Sequence, residues 1–77
     1  MNAAAVRQAI ESGKPFWLRS GDGAGIHVPT RDHISINPTG RLAVVFTDDG
    51  GARVLDVPLI TAIDYDKAPD NLRVEEK

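Results

Sequence analysis

The chain contains no cysteine. That excludes a disulfide framework and any thiolate metal site, so a small core must be held by packing alone. Long apolar runs are missing too. No segment approaches the ~20 apolar residues of a membrane span. Residues 1–13 carry one arginine and no apolar stretch that would read as a secretory leader, so the expectation is a soluble, cytoplasmic protein without a membrane partner. An excess of positive charge is also lacking. The formal charge is -2; residues 1–63 balance six Lys/Arg against six Asp/Glu, and residues 64–77 carry three against five. A neutral body lacks the basic excess that drives sequence-independent nucleic-acid binding. With 77 residues there is room for one domain that buries roughly 60% of its unfolded surface, and a deep enclosed active site is hard to build at that size. No internal repeat or low-complexity tract is present.

What the chain does have is a series of short β-branched and apolar runs separated by turn residues. Residues 3–12 combine good helix formers with Asn2 as N-cap and Gly13 as stop, placing Val6, Ala9 and Ile10 on one face. Lys14-Pro15 then imposes extended backbone. Residues 16–20 alternate, with Phe16 and Leu18 opposite Trp17 and Arg19. A glycine-rich turn at residues 21–25 leads into Ile26-His27-Val28, which completes a hairpin. Pro29 cannot donate to a ladder, so a bend is expected at residues 29–32 before a third strand at residues 33–37 with Ile34 and Ile36 inward. Asn37-Pro38-Thr39-Gly40 and Asp48-Asp49-Gly50-Gly51 mark two further reversals. Between them Leu42, Val44 and Phe46 form the expected inward set of the fourth strand, followed by Leu55 and Val57 in the fifth. Pro58-Leu59-Ile60 reads as one helical turn, and residues 61–65 as a last strand with Ile63 inward.

The expected fold class is α+β, mostly β: helix 3–12, then a strongly bent antiparallel meander of five to six strands over residues 1–65, forming an SH3-like or Sm-like small barrel. An open meander with the helix on one face is the alternative. Residues 66–77 are polar and without period, and are expected to be a disordered acidic tail. The expected core is Val6, Ile10, Phe16, Leu18, Ile26, Val28, Ile34, Ile36, Leu42, Val44, Phe46, Leu55, Val57, Leu59, Ile60 and Ile63. Asp56, isolated in an apolar stretch, is expected to accept backbone N–H groups from the turn at residues 58–60.

Several features resemble a widespread group of short uncharacterised bacterial proteins: Pro15-Phe16 before the first strand, Val28-Pro29 at the bend, Asp32, Gly40-Arg41 opening the apolar strand 42–46, and Asp56 ahead of Leu59-Ile60. The resemblance spans about residues 14–65 and implies no particular activity. A second likeness is to Sm-like RNA-binding proteins, with Arg31-Asp32-His33-Ile34 at the position of their Asp-containing loop. The Lys-His pair that bacterial Sm-like proteins carry after the fourth strand is absent, and Leu55-Asp56-Val57 stands there instead.

Side chains expected on the outward, convex side are Trp17, Arg19, His27, His33, Ser35, Arg41, Val45 and Arg53. Of these, Trp17, Arg19, His27, His33, Arg41 and Arg53 are the candidate binding residues, since Trp and Arg dominate binding hot spots and also stack on bases. The bland reading of a single Trp is packing beneath the helix or the tail. His27 and His33 with Asp22, Asp32 and Asp48 match no metal-ligand spacing. Ser20, Thr30, Ser35 and Thr47 lie in no nucleophile motif. No cofactor and no catalysis are therefore expected. The leading expectation is a non-enzymatic module that binds another protein, or itself, through a sheet edge or the Trp17 face; the alternative is an Sm-like oligomeric RNA binder using Arg19, Arg31, Arg41 and Arg53 on phosphates.

Overall fold

The computed structural model describes residues 1–66, so the tail expected at 66–77 lies outside the described residues except for Asp66. Helix α1 (Ala3–Ser12) begins where the Asn2 side chain accepts the Ala5 N–H at 3.0 Å, and ends at Gly13, whose φ of 70° lets its N–H reach the Ile10 carbonyl. Val6 and Ala9 are its buried residues.

Six antiparallel strands follow in two three-stranded sheets. The first has the order β2-β1-β6, from β1 (Phe16–Ser20), β2 (Gly25–Val28) and β6 (Ile60–Tyr65); the second runs β3-β4-β5, from β3 (Ile34–Ile36), β4 (Leu42–Phe46) and β5 (Ala52–Asp56). Two short 3-10 turns join the sheets, Arg31–His33 between β2 and β3 and Val57–Leu59 between β5 and β6. No ladder links one sheet to the other, so the fold is α+β, mostly β, with two separate sheets and no hydrogen-bonded closure among the described residues. β6 returns to pair with β1, and a bulge at Arg19/Ser20 is bridged by the Thr61 hydroxyl, which donates toward the Arg19 and Ser20 carbonyls. No helix of the described residues is long and apolar enough to cross a membrane.

The β1–β2 and β4–β5 reversals are built alike. In each, a Ser or Thr carbonyl accepts the N–H of a glycine three residues on, Gly23 at φ 89° and Gly50 at φ 92°. An Asp side chain accepts the N–H that follows that glycine, Ala24 or Gly51, at 3.0 Å. Type I turns followed by a left-handed residue suit the right-handed twist of hairpin strands, and glycine takes that position at no steric cost.

The buried core comprises Val6, Ala9, Phe16, Leu18, Ile26, Val28, Ile34, Ala43, Val45, Val57 and Ile60, with Ile10, Ile36, Leu55 and Ile63 packed partly against it and no buried polar residue among the described residues. β4 departs from the sequence expectation. Ala43 and Val45 face the core, while Leu42 is 39% and Phe46 46% exposed and Val44 is half-buried. Turn length is the cause. Asn37 pairs with Leu42 through its N–H, so Ile34 meets Val45 and Ile36 meets Ala43; once the isoleucines face inward, the larger set of β4 must face out. Val45, expected outward, is therefore fully buried. Leu59 is also exposed, at 62%, on the 3-10 turn that starts at Val57, one residue earlier than expected. Asp56 precedes that turn but its side chain makes no capping hydrogen bond, contrary to its expected role.

Candidate functional site

The outer side of the first sheet carries a row of His27, Trp17 and Asp64 across β2, β1 and β6, and a second row of Gly25, Arg19 and Ala62. Trp17 stacks on His27 with ring centroids 4.6 Å apart. Its indole also lies over Gly25, where a Cβ would meet Trp17 Cε3 at 3.4 Å. Arg19 donates to the Asp64 carboxylate, and His27 Nε2 stands 3.7 Å from an Asp66 carboxylate oxygen. Three of the expected binding residues are thus brought together. The Arg19 guanidinium is turned on Asp64 and the His27 ring stands near Asp66, and Trp17 packs across the strand pair rather than beneath the helix.

His33 lies in the first 3-10 turn, before the strand expected to contain it. Thr30 caps that turn by accepting the Asp32 N–H, and its Oγ1 is 2.9 Å from His33 Nδ1; His33 Nε2 is 2.9 Å from an Asp48 carboxylate oxygen. A carboxylate only accepts, so Nε2 carries a proton, and in the neutral ring Nδ1 receives the Thr30 O–H. This chain of hydroxyl, imidazole and carboxylate clasps the inter-sheet turn to the β4–β5 reversal. The Thr30-x-x-His33 spacing, a relative of the capping box, was its signal in the sequence; the Asp48 partner, fifteen residues on, had none.

Arg53 pairs with Val45 across β4 and β5, which puts it on the core-facing side at the open end of the second sheet. Two surface depressions meet at it. One, of about 290 Å³, lies between β2 and the β4–β5 reversal and includes Ile26, His27, Pro29, Phe46 and Asp48. The other, of about 320 Å³, runs along β5 and includes Asp22, Leu55, Asp56 and Leu59. Arg41 stands apart from this group, in the turn before β4, where its carbonyl accepts the Val57 N–H at 2.8 Å. Arg31 lies near Gly13 at the end of α1. The four arginines expected on phosphates therefore occupy four separate places.

Local hydrogen bonds set the acid chemistry of the turns. The Ser20 hydroxyl, then the Ala24 N–H, hold the Asp22 carboxyl below its ordinary value, with a smaller contribution from Arg53; the Thr47 hydroxyl and the Gly51 N–H do the same for Asp49. Burial pushes the Tyr65 phenol up. Among the described residues, no group of three or more His, Asp or Glu side chains is placed to hold a metal ion.

The outer side of the second sheet was not anticipated. Pairing aligns Val44 with Val54, Leu42 with Asp56 and Phe46 with Ala52. Leu42, Phe46 and Val54, the last 65% exposed, thus belong to one apolar face, and β5 is the least buried strand of the sheet. β4 is apolar on both sides. Compared with protein-family models, curated proteins and solved structures, the chain matches none.

Proposed function

We propose that this protein is a non-enzymatic interaction module that docks a protein partner through its second sheet, using the apolar outer face of β4 and β5 and the adjoining free edge of β5. The observation that carries the reading is β4 itself, a strand of five consecutive apolar residues whose larger side chains point away from the core. Strands apolar on both faces are ordinarily covered on both, and contiguous exposed apolar surface on a small domain marks interaction sites. The Trp17 face ranks lower, because its Arg19 is already paired with Asp64 and its Trp17 is stacked on His27.

The finer architecture belongs to the same proposal. An SH3-like or Sm-like small barrel, left open along β5, is supported by the return of β6 to β1 and by the 3-10 turn that precedes it. Photoreactive residues at positions 44, 54 and 17 of the full chain test the docking reading in cells. Protein adducts from 44 and 54, with none from 17, are expected. Adducts from 17 alone, or from none of the three, would sink it.

A further inference from the structure

Among the described residues β2 is an edge strand, hydrogen-bonded to β1 alone. The Ser20 N–H bonds the Ala24 carbonyl at 3.0 Å, and the ladder then aligns Arg19 with Gly25, Leu18 with Ile26 and Trp17 with His27. Antiparallel pairs alternate between those that exchange both backbone bonds and those that exchange none. With Ser20 bonded to Ala24, the exchanging pair is Leu18 with Ile26, so the N–H and C=O of Gly25 and of His27 point away from β1, out to the free side. No turn or loop bond among the described residues takes them up.

That free side borders the depression of about 290 Å³ between β2 and the β4–β5 reversal, near the small end of ligand pockets. Gly25, Ile26, His27 and Pro29 all line it, and residues of both parities share one wall only along the edge of a strand. Its two ends differ in charge. Arg53 shares the neighbouring depression with Asp22 of the β1–β2 turn and so stands toward the Gly25 end, whereas Asp48 is bonded to His33, beyond Pro29, and stands toward the other. Arg53 forms none of the ion pairs among the described residues.

We infer that this depression is a binding site for the C-terminus of an extended peptide, which adds antiparallel to the free edge of β2 and sets its terminal carboxylate on the Arg53 guanidinium. The site uses the edge of the first sheet and does not depend on the docking reading above. Outward N–H and C=O groups in alternation match a peptide backbone, whereas a phosphate would leave the carbonyls without donors. Direction fixes the polarity. β2 runs from Gly25 to Val28, so an antiparallel strand, the better-bonded arrangement, runs toward Gly25 and ends beside Arg53. A guanidinium holds a carboxylate by two parallel N–H bonds. At four residues, with Pro29 directly after it, β2 admits the end of a chain rather than a long further strand.

Nuclear magnetic resonance titration of the isotopically labelled full chain tests this with three probes: an acetylated tetrapeptide of alternating threonine and valine ending in a free valine carboxylate, its carboxamide twin, and acetate. The carboxylate peptide is expected to shift the Gly25 and His27 amides downfield and to saturate, with a dissociation constant on the order of 100 µM for so few backbone bonds. The carboxamide should bind about tenfold more weakly, for want of the charge-assisted bond. Arg53→Gln should weaken the carboxylate peptide by the same factor while its own spectrum keeps the wild-type dispersion. No shift at Gly25 and His27 would overturn the inference, as would equal binding of the two peptides or an Arg53→Gln variant that binds as the wild type does. Acetate that shifts the same amides with the same dissociation constant would make this a site for any anion and overturn the peptide. Shifts confined to Val44 and Val54 would move the peptide to the outer face of the second sheet, which ends this inference and supports the docking reading.

Discussion

Gly40 shows how much a single residue decides here. Its φ is 76°, and a Cβ added to it would lie 2.6 Å from the Ala3 Cβ of α1. A side chain at position 40 therefore combines left-handed backbone strain with displacement of the helix from the β3–β4 turn, where Arg7 also donates to the Asn37 carbonyl. Gly40→Ala is expected to lower stability by about 2–3 kcal/mol in urea unfolding, toward the upper end of the cost of a strained backbone position. A loss under about 0.5 kcal/mol would mean that the helix does not rest there. The pKa values of Asp22 and Asp49 are held below their ordinary value in the fold, so each adds stability that is present above the unfolded value near 3.9 and is lost as pH falls through the lower folded value. The variant Asp22→Asn/Asp49→Asn, which keeps an acceptor oxygen at each turn, should melt below the wild type at pH 6. The gap should close as pH falls from about 4 through the lower folded values. A gap constant over that range would contradict the hydrogen-bond assignment. These turns were legible in the sequence because Asp-Gly and Asn-Pro-x-Gly name their own geometry. Asp56 was not, because a carboxylate beside a turn need not cap it.

At the scale of the element, alternation predicted β1 and β2 correctly, since Phe16-Trp17-Leu18-Arg19 and Ile26-His27-Val28 each have one wholly apolar parity and one that carries a polar or charged residue. β4 offers no such contrast. In Leu42-Ala43-Val44-Val45-Phe46 both parities are apolar, and size favoured the wrong one. What decided the face was the length of the preceding turn, where the Asn37 side chain accepts the N–H groups of both Arg41 and Leu42 and so fixes the pairing one residue away from the expected register. Arg53 stands two residues before Leu55 and therefore shares its inward side, opposite Val45, rather than the outward side expected of it. The His33–Asp48 contact was hidden for a different reason, since it joins a turn to a distant reversal and leaves no periodic trace. A double-mutant cycle with His33→Ala and Asp48→Ala should give a coupling of about 0.5 kcal/mol, as expected for a partly exposed polar pair. No measurable coupling would remove the clasp from the account of how the two sheets are tied. Trp17→Ala should cost up to ~1 kcal/mol, through loss of the cross-strand contact with His27.

For the whole molecule, the order of elements was legible because it depends only on where the runs stop, whereas the surface was not, because it depends on which way each strand is turned. The turning of β4 and β5 leaves a small core and an apolar outer layer that nothing covers among the described residues. If the edge of β2 takes a peptide C-terminus, thermal stability must rise with the concentration of that peptide, because only the folded state binds it. At ten times the dissociation constant the gain is about 1.4 kcal/mol. For a domain this small that corresponds to roughly 6–11 °C in Tm. Calorimetry of the wild type with the carboxylate peptide at that ratio should show such a rise. Arg53→Gln at the same peptide concentration should gain only about 0.4 kcal/mol, because a tenfold weaker site is then half filled. A Tm that the peptide moves in neither protein would mean that the edge of β2 stays unpaired, and that the stability of the domain is set entirely within one chain.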